Sequence, residues 1–288
     1  MAPYRKQHDP SPAGPTTGRG NRESARAVIY SNSMKAALKK GRVVFGPMVS
    51  EVRSPAIAVL FAQAGFDFFF VDLEHSCFSL ETVSDMILAA RAADIPLIIR
   101  STSCESADHL SRPLDSGASG LLIPQIRTRE DVENVVKWAR YQPLGERGMG
   151  LSRQHTFFQA GDALDTMKRL NEEILIALQI EHRDAIENLP DLLSVPGIDA
   201  AFVGPADLSA SFGKPGQTND PEIQRAIHRV IDVSTAHDVI PGIHTGSVEN
   251  AKYWIDQGMK LIGFCTDIKL IQQVCKASVQ ELQAGLSN

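Results

Sequence analysis

The feature that most constrains the fold is the regular alternation of short apolar runs with amphipathic segments. Eight runs are rich in β-branched and aromatic residues, at 43–49, 68–73, 96–99, 120–126, 174–180, 200–203, 240–243 and 261–265. Amphipathic segments lie between them, for example at 55–64, 80–92, 129–140, 221–237 and 248–257. Continuous apolar strands are typical of a parallel sheet that is buried on both faces.

Eight strands that alternate with helices predict either a closed barrel or an open, doubly wound sheet. Three features favour the barrel: the count of eight, the absence of a G-x-G-x-x-G motif after the first run, and polar residues that follow several different runs. The length of 288 residues suits one α/β barrel domain. The pattern therefore predicts a (β/α)₈ TIM barrel.

The two ends of the chain and one internal segment depart from this alternation. Residues 1–25 are polar and rich in Pro and Gly, which predicts a disordered tail before a single barrel domain over 26–288. A short helix capped by Asn32 is expected at the start of that domain. The connection over 141–173 is unusually long, and we interpret it as a lid, a subunit contact or an inert insertion.

Composition excludes several classes of function. The formal net charge of -5 gives no broad basic surface, so nucleic acid is not an expected partner. No apolar run approaches the ~20 residues that cross a bilayer, and the first residues lack the apolar core of a secretory signal. The four cysteines, Cys77, Cys104, Cys265 and Cys275, form no C-x-x-C pair, which argues against a disulfide framework and a cysteine zinc site. We therefore expect a cytoplasmic protein without a membrane partner.

Titratable residues stand at the end of the second apolar run. Asp72, Glu74 and His75 follow a strongly apolar stretch, and the carboxyl ends of barrel strands form the active-site mouth. His75 could act as a general base near neutral pH, with Asp72 or Glu74 orienting it. The alternative is a helix cap with a salt bridge.

A fixed positive charge follows the third run. Arg100 is suited to bind a carboxylate or the developing oxygen of an enolate. The alternative is a structural ion pair with an acidic residue at the rim of the barrel.

Carboxylates follow the fifth and sixth runs. Gln179 and Glu181 share one face of a strand, because side chains alternate, and Asp207 follows the next strand. Glu181 and Asp207 together form a plausible site for a hard divalent cation. The alternative for Asp207 is a helix N-cap.

Other catalytic chemistries have weaker support. A Schiff-base mechanism needs a desolvated lysine in the barrel, and no lysine lies inside an apolar run. No G-x-S-x-G and no G-x-x-x-x-G-K-[ST] motif is present, so a serine hydrolase and a P-loop protein are not supported. A metal ion is therefore the expected electrophile.

The motifs occur in an order that resembles the HpcH/HpaI aldolase family of class II, metal-dependent pyruvate aldolases. They are Val71-Asp72-Leu73-Glu74-His75, Ile99-Arg100, Leu122-Ile123-Pro124, the stretch 140–150 (RYQPLGERGMG), Gln179-Ile180-Glu181 and Gly204-Pro205-Ala206-Asp207-Leu208-Ser209. The resemblance covers roughly residues 32 to 270. It implies a barrel of the phosphoenolpyruvate/pyruvate type that makes or breaks a carbon–carbon bond.

The resemblance also implies a ligand arrangement around a divalent ion, either Mg²⁺, Mn²⁺ or Co²⁺. Glu181 and Asp207 would be the metal ligands, and Gln179 would support them. A keto acid, pyruvate or oxaloacetate, would chelate the ion through its carboxylate and keto oxygens. Arg100 would contact the keto or enolate oxygen.

Two further roles are implied by the same resemblance. A dyad of His75 and Asp72 would activate a water that removes the methyl proton. Backbone amides of Ala206 and Asp207, at a helix start, would hold the substrate carboxylate. The family also forms homo-oligomers, commonly hexamers built as trimers of dimers with exchanged C-terminal helices, and the segment 268–286 is long enough for that role.

Some residues depart from the family pattern and affect the second substrate, an aldehyde. Arg100 is followed by Ser-Thr-Ser-Cys, the acidic His motif continues as Ser76-Cys77-Phe78, and His244 lies where the aldehyde would approach. The acceptor is therefore not predicted. The same enolate would also serve an oxaloacetate decarboxylase or an enzyme like macrophomate synthase, and a non-catalytic keto-acid-binding barrel is a further alternative.

Overall fold

The computed structural model describes residues 29–159 and 161–286, and the predicted tail over residues 1–25 lies outside the described residues. Eight parallel strands form a closed barrel in sequence order, with β1 paired to β8. The strands are β1 (Val44–Val49), β2 (Phe69–Asp72), β3 (Leu97–Arg100), β4 (Gly120–Ile123), β5 (Leu175–Ile180), β6 (Ala200–Val203), β7 (Ile240–Thr245) and β8 (Leu261–Thr266). The predicted TIM barrel is confirmed.

Helices surround the strands and also precede the first one. They are α1 (Ser33–Lys39), α2 (Ala56–Ala64), α3 (Leu80–Ala92), α4 (Ala107–Asp115), α5 (Arg129–Ala139), α6 (Ala163–Glu173), α7 (Arg183–Glu187), α8 (Leu189–Leu193), α9 (Pro205–Ser211), α10 (Pro221–Ala236), α11 (Val248–Asp256) and α12 (Asp267–Leu286). Helix α1 begins after Asn32, whose side chain accepts a hydrogen bond from the Lys35 backbone N–H, as expected. Among the described helices, none combines the length and apolar character that a bilayer crossing needs.

Alternating side chains of each strand fill two separate apolar layers. Phe68 and Phe70 point into the barrel, where the ring centroids of Phe70 and Phe202 lie 5.4 Å apart. Phe69 and Val71 belong to the outer layer, which packs between the strands and the helices. Because both faces of the strands are buried, the apolar runs are continuous rather than alternating. The interior layer forms the floor beneath the mouth of the barrel.

A buried ionic cluster closes the amino-terminal end of the barrel. Lys35 on α1 pairs with Asp199, with an Nζ to Oδ1 distance of 2.8 Å, and donates a hydrogen bond to the carbonyl of Ile174. Arg140 pairs with the other oxygen of Asp199 at 2.7 Å. Helix α1 is thereby fixed under the barrel, at the end opposite the strand termini that carry the candidate site residues.

The contacts of the segment 141–173 favour a structural role over that of a lid. Its last part is helix α6, and Gln154 in its earlier part is hydrogen-bonded to Ser84 and Arg91 on α3. Arg147 pairs with Asp115, at the end of α4, with an Nη2 to Oδ1 distance of 2.6 Å, and the His155 ring hydrogen-bonds the Asp115 carbonyl. These contacts hold the segment away from the mouth, because the last residue of a helix in this fold lies at the amino-terminal end of the strand that follows.

Close approach of strands β4 and β5 requires glycine at position 120. A Cβ atom there would come within 2.4 Å of the Leu175 carbonyl oxygen, and backbone cannot move away without shifting the barrel register. We expect Gly120→Ala to lower the free energy of unfolding by about 1–3 kcal/mol or more, the cost of overpacking a filled interior. Urea unfolding followed by circular dichroism measures this change. Gly148→Ala is the matched control, because nothing lies within 4 Å of its added Cβ; equal effects of the two substitutions would contradict the packing argument.

Candidate active site

The carboxyl-terminal ends of the strands bring together residues that are far apart in the sequence. Asp72 and Arg100 are the last residues of β2 and β3, and the strand register places them directly opposite each other. Gln179 lies near the end of β5, and Glu181 follows that strand by one residue. All four side chains are buried. The mouth of the barrel therefore contains a dense cluster of polar groups with little access to bulk water.

Arg100 lies between two carboxylates. Its Nε and Nη2 atoms donate hydrogen bonds of 2.8 and 2.6 Å to the two oxygens of Asp72, which is a bidentate pair. The remaining Nη1 lies 3.2 Å from Oε2 of Glu74. Burial by itself raises the pKa of Asp72, but the hydrogen bonds and charge of Arg100 outweigh it and hold that pKa below its ordinary value. The two groups are therefore charged throughout the neutral range.

The predicted dyad of His75 and Asp72 is not formed in this structure. Asp72 Oδ1 accepts hydrogen bonds from the backbone N–H groups of Glu74 and His75, and its side-chain partner is Arg100. The His75 ring is 64% exposed, and its Nε2 lies 3.8 Å from Glu74 Oε2. Asp72 thus orders the turn that carries His75 but does not contact the imidazole. Of the two carboxylates that the sequence offered as partners for the ring, the structure brings Glu74 nearest.

Glu74 lies between Arg100 and His75, and its carboxylate is close to both side chains. Burial raises the pKa of Glu74, and the negative charge of Asp72 acts in the same direction against the charges of Arg100 and His75. Its Oε2 atom is buried and accepts no hydrogen bond from the described residues, although it lies near the Arg100 guanidinium. A carboxylate oxygen in this state is available to a ligand or to a proton.

Glu181 is held by neighbouring strands and is 2% exposed. Its Oε1 accepts a hydrogen bond of 2.8 Å from the backbone N–H of Gln125, and its Oε2 accepts one from the Gln179 amide. Burial, with smaller contributions from the charges of Glu74 and Asp207, raises the pKa of Glu181 to about 7. Ionisation of Glu181 is therefore unfavourable without a nearby cation, at the position where the sequence predicted one.

Asp207 lies in the first turn of α9, and the residue at the N-cap position is Gly204, which makes no side-chain capping bond. The N-cap alternative for Asp207 is therefore wrong, and its carboxylate is exposed. A Cβ at position 204 would come within 2.9 Å of Glu181 Oε2 and would displace that carboxylate, so glycine suits this position. The β6–α9 turn can thus pass close to the Glu181 carboxylate.

The donor set fits a hard divalent cation. Glu181 and Asp207 supply carboxylate oxygens, and Gln179 has a buried Oε1 without a hydrogen-bond partner among the described residues. No group of three or more His, Cys, Asp or Glu side chains in the described chain is arranged to hold a metal ion. Two protein carboxylates leave positions for substrate oxygens and water, as Mg²⁺ commonly requires.

Sequence reasoning did not identify every residue of the site. Gln125 follows β4 with a φ of 59°, and this backbone conformation turns its N–H towards Glu181. Lys269 on the first turn of α12 also faces the mouth, since its charge acts on His244. Gln125 could have been found from the sequence, because it lies two residues after the end of β4. The sequence gives no such signal for Lys269, because no candidate polar residue was recognised at the end of β8.

His244 on β7 is the departure from the family pattern that the structure brings into the site. Burial lowers the pKa of His244 to about 4, and the charges of Arg100 and Lys269 act in the same direction. Its Nδ1 atom is buried and has no hydrogen-bond partner among the described residues. The imidazole is therefore neutral at physiological pH.

An open cleft of about 430 Å³ adjoins this group of residues. It is bounded by the β6–α9 turn, the end of β7, and helices α10, α11 and α12. Ala206 and His244 both line it. The volume is sufficient for a small organic molecule.

The comparison with protein families now identifies the chain's relatives. Residues 48–273 match the model of the HpcH/HpaI aldolase/citrate lyase family. The chain belongs to this family. The expected resemblance, which was based on the strand-end motifs, is thereby confirmed.

The similarity to individual relatives extends over most of this chain and most of each relative. A 4-hydroxy-2-oxo-heptane-1,7-dioate aldolase of Escherichia coli is 33% identical over 248 residues, which are 85% of this chain and 93% of the relative. The solved structure of an HpcH/HpaI aldolase from Desulfitobacterium hafniense DCB-2 has a TM-score of 0.83 at 31% identity and covers 86% of this chain and 96% of its own. The structure of the citrate synthase SbnG has a TM-score of 0.79 at 30% identity, with coverages of 88% and 98%.

Removal of the Arg100 charge leaves Asp72 and Glu74 uncompensated in a buried site. We expect Arg100→Met to lower the free energy of unfolding by roughly 3–5 kcal/mol at pH 7, the usual cost of breaking a buried pair by removing one partner. Arg112→Met, which breaks an exposed pair with Asp108, is the matched control and should change stability by less than about 1 kcal/mol. Urea unfolding measures both. A similar small change in both variants would show that the Arg100 pairing adds nothing to stability.

Proposed function

We propose that this family member is a metal-dependent carbon–carbon lyase of the class II aldolase type. It forms the enolate of pyruvate and adds it to an aldehyde, or releases it from a 4-hydroxy-2-oxo acid. The observation that carries the proposal is the buried Arg100 guanidinium, which lies close enough to the buried Glu181 carboxylate for the two charges to interact, while Asp207 in turn acts on Glu181. The relative from Escherichia coli that is named as such an aldolase supports the same reaction class.

The proposed cofactor is a divalent ion, Mg²⁺, Mn²⁺ or Co²⁺, held by Glu181 and Asp207. When bound, such an ion supplies Lewis-acid stabilisation of negative charge on the keto oxygen of the substrate. Gln179 fixes one oxygen of Glu181, and the Gln125 backbone fixes the other. These contacts orient the carboxylate before any ligand arrives.

The side chains around the metal ligands would bind the keto acid and move its proton. Arg100 would donate to the keto oxygen through Nη1, which now lies against Glu74, while Asp72 keeps the other two nitrogens in place. Backbone N–H groups of Ala206 and Asp207 lack helical partners because they lie in the first turn of α9, and they would bind the substrate carboxylate. His75 would accept the methyl proton, with Glu74 as the carboxylate nearest its ring.

A second candidate uses the same enolate with a different acceptor, or releases it from oxaloacetate as a decarboxylase. The citrate synthase SbnG is 30% identical to this chain and is named for a reaction other than that of the aldolases, which supports a second candidate. Turnover of oxaloacetate without any aldehyde would assign the chain to the decarboxylase class. A requirement for an aldehyde acceptor would assign it to the aldolases.

Exchange of the pyruvate methyl protons in D₂O, followed by NMR, tests the enolate step without knowledge of the acceptor. We expect exchange that depends on Mg²⁺, Mn²⁺ or Co²⁺ and stops on chelation. Glu181→Ala should abolish the metal-dependent exchange, and His75→Ala should slow it by about 10²–10⁴-fold, the usual contribution of a general base. His237→Ala is the control, because His237 lies at the closed end of the barrel after α10.

Two outcomes would contradict the proposal. Absence of exchange by the folded, metal-loaded protein would favour a barrel that binds a keto acid without turning it over. Full exchange in the Glu181 or His75 variant would contradict the roles proposed for these residues.

We also propose that the protein is a homo-oligomer in which α12 packs on a partner subunit, in a hexamer built as a trimer of dimers. Within α12 the side chains beyond Asp267 are partly or fully exposed, and they include Val274 at 67% and Leu282 at 70%. Such a row of exposed apolar residues on a long helix is typical of a surface covered by another chain. The free cysteines agree with the cytoplasmic location that we propose.

Light scattering coupled to size-exclusion chromatography measures this assembly. We expect an oligomer for the wild type and a shift towards the monomer for the double variant Val274→Glu, Leu282→Glu, because each substitution places a charge in an apolar contact. Gln273→Glu adds a charge to the same exposed helix and is the control. A monomeric wild type would contradict the proposed exchange of helices.

A further inference from the structure

Gln125 lies in the turn that follows β4, and β4 stands between β3 and β5 in the barrel. Strand β3 ends at Arg100, and β5 is followed directly by Glu181. Pro124 and Ile126 on either side of Gln125 are buried, whereas Gln125 itself is exposed at the mouth. The Gln125 side chain therefore has access to groups on both sides, and no step of the proposed reaction uses it.

The backbone of Gln125 adopts a conformation that is uncommon for glutamine. Its φ of 59° lies in the left-handed region, which is costly for a residue with a Cβ and persists where the surrounding structure maintains it. In this conformation the N–H group donates the 2.8 Å hydrogen bond to Oε1 of Glu181. The unusual conformation thus coincides with a contact to a proposed metal ligand.

The side chain of Gln125 acts on a different carboxylate. Its Oε1 accepts a hydrogen bond of 3.4 Å from Nη2 of Arg127, which leaves the amide nitrogen as the donor for another partner. Burial is the largest effect on the pKa of Glu74 and raises it, and the Gln125 side chain acts in the opposite direction as a hydrogen-bond donor. Because Oε2 of Glu74 accepts no hydrogen bond from the described residues, the amide acts on the side of Oε1.

The two carboxylates that Gln125 contacts belong to different parts of the mouth. Their negative charges act against each other, and burial disfavours the ionised form of both. Glu181 is the proposed metal ligand, whereas Glu74 lies 3.2 Å from Nη1 of Arg100 and 3.8 Å from Nε2 of His75. A single residue thus supplies a donor to the metal side and another donor to the side that moves the proton.

We propose that Gln125 is a positioning residue for the enolate step and that it acts through these two carboxylates. Its backbone N–H orients Glu181 for the metal ion. Its side-chain amide keeps Glu74 beside Arg100 and His75. The inference rests on the proposed aldolase function, and it goes beyond that function because it assigns separate tasks to the backbone and the side chain of one further residue.

Gln125→Met tests the side chain, because methionine has a similar length, provides no donor and keeps the backbone N–H. We expect kcat for the metal-dependent exchange of pyruvate methyl protons to fall by about tenfold or more, as for a misplaced catalytic group. KM for pyruvate and the affinity for Mn²⁺ should stay close to those of the wild type. This split between kcat and metal affinity is not expected from a general loss of structure.

Gln125→Val tests the backbone, because a β-branched residue is strongly disfavoured at a positive φ. Relaxation of the turn would move the N–H away from Glu181. The EPR signal of free Mn²⁺ measures the affinity for the metal alone, and we expect Kd to rise by about tenfold or more relative to Gln125→Met, the usual effect of losing a group that orients a metal ligand. Both variants lack the amide, so the difference between them belongs to the backbone. Gln125→Gly, which tolerates the left-handed conformation, should bind Mn²⁺ like Gln125→Met.

Asp238→Val is the matched control for backbone strain. Asp238 is exposed and has a φ of 55° between α10 and β7, at the end of the barrel opposite the mouth. Valine introduces the same kind of strain there, so urea unfolding should show a similar loss of stability in the two valine variants. Only Gln125→Val should lose affinity for Mn²⁺. An equal loss in both would indicate a general effect of strain and would overturn the role of the Gln125 backbone.

The outcomes separate this inference from the aldolase proposal. Wild-type exchange kinetics in Gln125→Met would overturn the role of the amide, and wild-type affinity for Mn²⁺ in Gln125→Val would overturn the role of the backbone; either result leaves the aldolase function intact. Absence of exchange by the metal-loaded wild type would overturn the role of the amide together with the aldolase proposal. The Mn²⁺ affinities do not depend on turnover and would still decide the role of the backbone.

Discussion

The bidentate pair of Arg100 and Asp72 is the interaction on which the arrangement of the mouth depends. It joins the ends of β2 and β3 at a position that the strand register dictates. Asp72 also accepts the backbone N–H groups that shape the following turn, so the same carboxylate places Glu74 and His75. Because the pair is buried, its two charges stabilise each other, and the third nitrogen of Arg100 is left for a carboxylate or a ligand oxygen.

The closed end of the barrel gives this arrangement a fixed base. Buried ion pairs join three elements at this end. Asp199, the residue before β6, pairs with Lys35 on α1 and with Arg140, which follows α5. The interior aromatic layer lies between this cluster and the mouth, with Phe70 and Phe202 in edge contact. Polar groups at both ends of an apolar interior divide the barrel into a structural end and a reactive end, as is usual for this fold.

The pKa values of neighbouring carboxyl groups at the mouth are shifted in different directions. The Asp72 carboxyl is held ionised, whereas burial raises the pKa values of Glu74 and Glu181. His244 is kept neutral by burial, while His75 is open to solvent. The three carboxyl groups thus differ in protonation behaviour within one cavity, which is the condition for separate binding and proton-transfer roles.

The sequence by itself determined the barrel and the positions from which its site residues come. Eight continuous apolar runs are sufficient for this, since a strand buried on both faces has no polar alternation, and strand ends in a barrel converge at one mouth. The sequence also placed Asp72, Arg100, Gln179 and Glu181 at those ends. It could not tell which carboxylate meets the His75 ring, because residues two or three apart in a turn are directed by the local hydrogen bonds.

Only the tertiary structure decided the remaining contacts. The length of the segment 141–173 suggests a lid, a subunit contact or an inert insertion, and length alone does not reveal its partners. Its buried Arg147 pairs with Asp115 at the end of α4. The contribution of Gln125 comes from a backbone N–H in a left-handed conformation, and that of Lys269 from the direction in which α12 leaves β8. Such contacts depend on the relative placement of distant elements, and the pattern of apolar and polar residues along one chain does not record that placement.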